Sequence, residues 1–301
     1  MNDPIIHTID LNFRSRKGTI GAYLVPYTSG CILVETGPGS TINSVVAGLD
    51  ILGYKIQDIT DVFLTHIHLD HAGAAGWWAK QGAQIHVHEN GAPHLINPER
   101  LLASASRLYG DMMDTLWGEF LPVQEDHISI AHDQEVIRFG DLSIFALDVP
   151  GHASHHLAYI IGDACFSGDI GGIRLSPLQY IRLPMPPPEF HIEKWRSSIQ
   201  RILQFSPKRI IPTHFGVYTD ADWHLKAVLD ELDAIEAWME SKIPLNRPIE
   251  DLRRQFIEFE QTQALKFGID KTTAEAQQIA NPSFMSVDGI LRYWNKYRKS
   301  V

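Results

Sequence analysis

Cysteine is scarce: Cys31 and Cys165 are the only two in a chain of 301 residues. Each stands in an apolar, strand-like run where a buried free thiol is the expected state, so neither a disulfide framework nor a cysteine nucleophile is indicated. Runs of positive charge are also missing. The formal net charge is -10, with 26 Lys and Arg against 36 Asp and Glu spread along the chain, which removes the cationic footprint of a nucleic-acid binder. No stretch approaches the ~20 apolar residues needed to span a bilayer. Residues 1–13 show no basic segment followed by a long apolar one, so the expectation is a cytoplasmic protein with no membrane partner. A Gly-x-Ser-x-Gly elbow is absent as well, which leaves serine-hydrolase chemistry without a nucleophile.

What the chain has in excess is histidine. Fifteen are present, and histidine near its ordinary pKa is the residue of metal ligation and proton transfer when it clusters. Hydrophobic residues make up 44%, enough for one large or two smaller cores. The patterning alternates strands and helices. Residues 18–27 and 31–35 read as strands meeting at Thr28-Ser29-Gly30, and Ser40 reads as the N-cap of a helix to about Leu52. A short apolar strand, 61–65, runs into His66; a helix over 72–81 and a strand over 83–88 follow. Residues 98–120 form a helical pattern rich in Leu, Met, Tyr and Trp. Strands are then expected over 135–139, 142–149, 156–161 and 164–167, followed by a proline-rich connector, 184–188, a helix over 189–205, and a strand over 209–212. Beyond it the chain is almost wholly helical, with amphipathic patterns over 253–267 and 272–279.

The densest chemistry is His66-Ile67-His68-Leu69-Asp70-His71, four potential ligands in six residues at a strand end. Imidazoles two apart can face one ion while the Asp-His pair turns toward another, and the mixed nitrogen and oxygen set suits zinc, with iron and manganese admitted. Three further polar groups each follow an apolar strand: His152 after Pro150-Gly151, Asp169 after Ser167-Gly168, and His214 after Pro212-Thr213. Taken singly each is weak, because a lone histidine or a turn aspartate is more often a hydrogen-bonded structural residue. His86, His88 and His94 match no motif, and a strand that alternates them onto a polar face accounts for the first two.

In this order, His-x-His-x-Asp-His, Gly-His, Ser-Gly-Asp and Thr-His, the set resembles the metallo-β-lactamase fold superfamily, and within it the glyoxalase II and lactonase branches, over roughly residues 18–220. The resemblance implies an α+β fold, an αβ/βα four-layer sandwich with the metals at one edge. Residues 1–243 would form the catalytic domain, with 98–120 a helical insertion and 244–301 a helical C-terminal extension. It also implies two divalent metal ions, normally zinc: His66, His68 and His152 at one, Asp70, His71 and His214 at the other, and Asp169 bridging. The family's Asp-Thr-Gly is here Glu35-Thr36-Gly37, so Glu35 is expected to support the ligands in that aspartate's place, as is His156 of the Gly-His-x-x-x-His stretch.

The implied activity is metal-assisted hydrolysis, a metal-bound hydroxide attacking the carbonyl of a small thioester, lactone or ester, with Asp70 the catalytic residue that relays a proton toward the leaving group. Two alternatives stand beside it: a mononuclear iron, persulfide-dioxygenase-like oxidoreductase, which shares the hexad, and a phosphodiesterase, which the acidic balance disfavours. The expected partner is a small-molecule substrate rather than nucleic acid. Its pocket is assigned to Tyr109, Met113 and Trp117, spaced with Met112 as one helix face would be, and to Arg174 as an anchor for an anionic group; Arg182 in the same 171–188 loop is a second candidate. The C-terminal helices are expected either to cover the site or to make a homodimer contact.

Overall fold

A computed structural model describes residues 3–175, 179–270, 272–274, 278 and 282–299. Six strands form one sheet in chain order: β1 (His7–Asp10), β2 (Gly21–Tyr27), β3 (Gly30–Val34), β4 (Ile59–Phe63), β5 (Gln84–Val87) and β6 (Ile128–Ile130). β1 to β3 pair antiparallel, and β3 to β6 are parallel. The second sheet has the order β11 (Arg209–Ile211), β10 (Ala164–Phe166), β9 (Leu157–Ile161), β8 (Leu142–Asp148), β7 (Val136–Phe139), antiparallel except for the parallel β10–β11 pair. Alternation in the sequence decides which layer each side chain enters. In β2 and β3, Tyr23, Val25, Ile32 and Val34 turn toward the other sheet and pack on Ile144, Ala146, Tyr159 and Phe166. Their neighbours Ala22, Leu24, Cys31 and Leu33 face outward onto helices.

Those helices complete four layers. On the first sheet lie α1 (Ile42–Leu52), α2 (Leu69–Ala72), α3 (Ala75–Lys80), α4 (Ala92–Ile96), α5 (Glu99–Tyr109) and α6 (Met113–Trp117); on the second lie α7 (Ile192–Gln204) and α8 (Ala221–Lys242). α9 (Ile249–Lys266) and α10 (Ser283–Tyr293) bury Leu252, Phe256, Val287 and Ile290 in the same cluster as α7 and α8, so these C-terminal helices share one hydrophobic core with the helix layer of the second sheet. Phe63 sits at the centre of the sandwich, stacked on His86 at 4.1 Å and edge-on to Tyr159 at 5.1 Å. Contacts of this kind add about 0.5–1.5 kcal/mol each beyond simple burial. His86 Nε2 is 2.7 Å from Asp61 Oδ1, which satisfies its polar edge inside the core. No described helix is long and apolar enough to cross a membrane.

Several local expectations differ from what forms. Ser40 does not cap α1: its hydroxyl donates to the Leu116 carbonyl at 2.6 Å, and the helix begins at Ile42 after a 3-10 turn. The single helix expected over 98–120 is broken at Gly110, which takes φ +51° and resets the helical phase, so Tyr109 and Met113 do not share one face. The helix expected over 72–81 forms as α3 (Ala75–Lys80), and a separate short helix before it, α2, carries Asp70 and His71. The strands β1 and β6 were not anticipated. Part of the 171–188 loop, residues 176–178, and part of the 272–279 pattern lie outside the described residues.

The two sheets are stitched together at the edge where β4, β8, β10 and β11 all end. Leu157 N–H donates to the Thr65 carbonyl (2.7 Å), Gly21 N–H to that of Thr213 (2.9 Å), Tyr23 Oη–H to that of Pro212 (2.6 Å) and Tyr159 Oη–H to that of Leu64 (2.9 Å). Gly151, which follows β8, has φ +144°, and a Cβ there would collide with the backbone of Trp195 on α7. Gly151→Ala is therefore expected to destabilise the fold by about 1–3 kcal/mol, read as a lowered midpoint in denaturant unfolding; an unchanged midpoint would contradict this close approach.

Candidate metal centre

Four chain segments deliver the histidines and aspartates to one place: the β4 end carries the hexad, the β8 end His152, the β10 end Asp169 and the β11 end His214. His66 Nε2 and His152 Nε2 lie 3.0 and 2.9 Å from His68 Nδ1. Asp169 Oδ2 is 3.4 Å from His152 Nε2 and 3.9 Å from His66 Nε2. Its other oxygen, Oδ1, faces away from them, 3.4 Å from His71 Nε2 and 3.5 Å from His214 Nε2. Asp70 Oδ2 closes that second group at 3.3 Å from His214 Nε2 and 3.7 Å from His71 Nε2. Two donor sets thus meet at one carboxylate, His66, His68 and His152 on one side and Asp70, His71 and His214 on the other.

The far side of each ring fixes its orientation. His152 Nδ1 lies 2.8 Å from the Pro184 carbonyl and His214 Nδ1 2.9 Å from that of Thr19. A carbonyl only accepts, so each Nδ1 carries a proton and each Nε2 is the nitrogen turned inward. His71 Nδ1 is 3.0 Å from Glu35 Oε1, and His66 Nδ1 is 3.1 Å from Thr65 Oγ1, whose hydroxyl in turn donates to Glu35. Thr213 Oγ1 donates to the same carboxylate at 2.9 Å. Glu35, buried and held at φ +66°, therefore ties the β3 end to β4, α2 and the β11 end. A third donor grouping, Glu35 with His66 and His71, has its carboxylate already occupied by these bonds. His156 Nε2 accepts from the Asp169 and Ile170 amides at 3.1 and 3.3 Å, which seats the turn that carries Asp169.

Electrostatics divide the rings. Burial, reinforced by the neighbouring imidazole of His152, lowers His68 to about 3; burial likewise lowers His66 and His152. These three are neutral. Burial opposes charge on His71 too, yet Asp169, Asp70 and Glu35 raise its pKa well above the ordinary value, and Asp169 and Asp70 raise His214. Against its own burial, Asp169 is held well below the usual carboxylate range by His71, His152 and His214. His71 Nε2 and Asp169 Oδ1 are fully buried with no hydrogen-bond partner, a cost that native interiors seldom leave standing. Lone pairs of neutral imidazoles converge on one point, ionised carboxylates lie beside them, and the orphaned atoms point inward, so the residues present fit divalent cations.

A cavity of about 260 Å³ opens onto this cluster and is lined by His68, Asp70, His152, Asp169 and His214 at its base. Tyr109 and Trp117 line its wall, with ring centroids 5.0 Å apart. Met113 does not: after the break at Gly110 it packs against the helix layer on the first sheet. Arg174 does not reach the cavity either. Its guanidinium is buried in a fork on Asp220 (2.7 and 2.9 Å) and lies 3.9 Å over the Tyr218 ring, while its backbone N–H donates to the His214 carbonyl at 2.6 Å. It braces the loop that carries His214, and a buried arginine needs such a partner. Arg182 is likewise buried against Glu260 at 2.7 Å. The cavity takes His155 and the 184–189 connector, both within stretches that the sequence pattern marks as pocket candidates, and three residues it does not mark: His94 from α4, Arg100 from the insertion, and Met285 from α10. Arg100 carried a signal, since it opens the helical insertion; Met285 carried none.

A family model described as Metallo-beta-lactamase superfamily matches residues 18–214. A metallo-beta-lactamase fold-containing protein of Sulfurisphaera tokodaii is 24% identical over 206 residues, 66% of this chain and 75% of that one. A hydroxyacylglutathione hydrolase of Aeromonas salmonicida is 26% identical over 155 residues, 50% of this chain and 48% of the enzyme, so the match takes in about half of that enzyme's length. The crystal structure of an archaeal superfamily protein from Sulfolobus tokodaii superposes with a TM-score of 0.67 over 95% of this chain and 98% of that one, at 19% identity, a likeness of fold.

The network around Glu35 predicts that Glu35→Gln weakens divalent-metal binding by about 10–100-fold, because the charge that holds His71 and two threonine hydroxyls is lost. Competition with a chromophoric chelator measures this, and wild-type affinity in the variant would contradict the role given to Glu35.

Proposed function

The chain belongs to the metallo-beta-lactamase superfamily and is a metal-dependent hydrolase, and from that premise we propose that it works with two zinc ions on the acyl bond of a small thioester, lactone or ester. The observation that carries the binuclear reading is the bridging geometry of Asp169, whose two oxygens face separate donor sets. On this reading His66, His68 and His152 hold one ion, Asp70, His71 and His214 the other, and Asp169 both. Imidazole and carboxylate donors suit zinc and also admit iron or manganese.

When bound, the two ions supply a water-derived nucleophile at neutral pH and polarise the scissile carbonyl. The chain's own residues do the rest. Hydroxyl, carboxylate and carbonyl partners orient His66, His71, His152 and His214 before substrate arrives. Asp70, whose side chain retains 17% exposure toward the cavity, is the acid–base group placed to carry a proton to the leaving atom. Leu101, Leu108, Tyr109, Trp117 and Met285 make the wall apolar and exclude water from the acyl group.

Acyl over phosphodiester chemistry is supported by charge. Among the described residues Arg100 is the one lysine or arginine in the lining, and a polynucleotide would need a cationic track. The relatives named hydroxyacylglutathione hydrolases point the same way by their names. Asp70→Asn is expected to lower turnover of an acyl substrate by about 100- to 10,000-fold while circular dichroism shows an intact fold. A near-wild-type rate would remove Asp70 from the mechanism. RNA hydrolysis faster than every ester, lactone and thioester tried would overturn the acyl assignment, and one iron per chain with no second ion would move the chain to the oxygenase class.

A further inference from the structure

Beside the metal cavity lies a second, polar cavity of about 250 Å³, walled by Ser154, Glu189, His191, Lys194, Arg292 and Lys296. The two cavities share Pro188 and Glu189 as a common rim. They are also separated by a single turn of chain, since Gly151 lines one and the next residue, His152, lines the other; consecutive Cα atoms are about 3.8 Å apart. A ligand of modest length whose reacting end sits at the metal cluster can therefore pass over the rim into the second cavity.

Its charge is unlike the rest of the molecule. The chain carries a net -10, yet among the described residues Lys194, Arg292 and Lys296 have no carboxylate partner. The nearby acids are engaged elsewhere. Glu189 accepts from the Ser154 amide and hydroxyl, both at 2.8 Å, and Glu193 accepts from Tyr293 Oη at 2.7 Å and pairs with Arg298 at 2.9 Å. Lys194 and Lys296 both face His191: burial lowers its pKa, and the two ammonium groups lower it further against the pull of Glu193. Arg292 lies in the last turn of α10 and Lys296 in the π-helical turn Trp294–Arg298 that continues it. One guanidinium and two ammonium groups, solvent-exposed around a concave, polar pocket, are donors of the kind that phosphate accepts. Tyr297, under Lys296 at 4.9 Å, adds an aromatic wall.

We propose that this second cavity binds a phosphate group on the leaving half of the substrate, making the substrate a thioester whose thiol portion is phosphorylated. The inference rests on the acyl-hydrolase reading. In the reaction, water adds to the carbonyl carbon, the C–S bond breaks, the acyl group leaves as a carboxylic acid, and the sulfur takes up the proton as a thiol. The phosphate is not cleaved; it anchors the thiol half.

The test uses the full chain. Binding of coenzyme A, a phosphorylated thiol, is measured calorimetrically to the wild type and to the Arg292→Ala/Lys296→Ala double variant. A loss of about tenfold or more in the variant is expected, with metal content unchanged. Kinetically, KM for acetyl-coenzyme A should rise in the variant, while hydrolysis of the same acetyl group on unphosphorylated N-acetylcysteamine stays at the wild-type level. Equal coenzyme A affinity in both proteins, or parallel changes with both thioesters, would overturn the subsite. Inorganic pyrophosphate binding as tightly as coenzyme A would mark a free-anion site and overturn it too. If coenzyme A binds through these residues while neither thioester is hydrolysed by metal-loaded protein, the phosphate site stands and the acyl-hydrolase reading falls.

Discussion

Asp169 places a buried carboxylate within 3.4–3.9 Å of the Nε2 atoms of His66, His71, His152 and His214. An ionised group in such a place is tolerated only if cationic or hydrogen-bonded partners surround it. That requirement governs the rest of the structure. The partners come from loops after β4, β8 and β11, so the ends of both sheets must lie at one edge and in a fixed relation. The sandwich core of Tyr23, Val34, Phe63, Tyr159 and Phe166 sets the spacing of the sheets, and the backbone hydrogen bonds from Gly21 and Leu157 lock their ends together. The fold is thus the means by which several imidazoles are aimed at one carboxylate.

Holding the rings still is a separate task from bringing them near. Each imidazole whose Nε2 faces inward spends its Nδ1 on a group from a different part of the chain: Thr65, Glu35, the Pro184 carbonyl and the Thr19 carbonyl. Glu35 takes on the largest share, since its carboxylate joins His71, Thr65 and Thr213. Arg174 belongs to the same supporting layer although it never meets the cavity, because its amide fixes the carbonyl of His214 while its guanidinium is spent on Asp220. The C-terminal helices are joined to this scheme through Met285, which reaches the cavity wall, and through a hydrophobic layer shared with α7 and α8.

The parts of this arrangement that follow from local rules could be read in the sequence. The apolar runs of β2 and β3, meeting at a turn, are legible as strands, and the order of hexad, Gly-His, Ser-Gly-Asp and Thr-His places a metal-binding edge after successive strands. What could not be read depends on distant partners. Arg174 resembles a free anchor until the fold brings Asp220 to it, and Met113 keeps its helical spacing from Tyr109 only if Gly110 does not reset the phase. Ser40 meets every local criterion for an N-cap, yet the Leu116 carbonyl, remote in sequence, claims its hydroxyl. β1 is short and polar at both ends, and its pairing with β2 is what makes it a strand.

The central claim is that one carboxylate joins two metal positions. X-ray absorption fine structure on the protein purified with its own metals, with the ion count taken on the same sample, addresses it most directly. The account predicts two ions per chain, imidazole scattering around both, and a metal–metal vector of about 3.5–4 Å. A single ion per chain, or two ions with no metal–metal vector in that range, would contradict it.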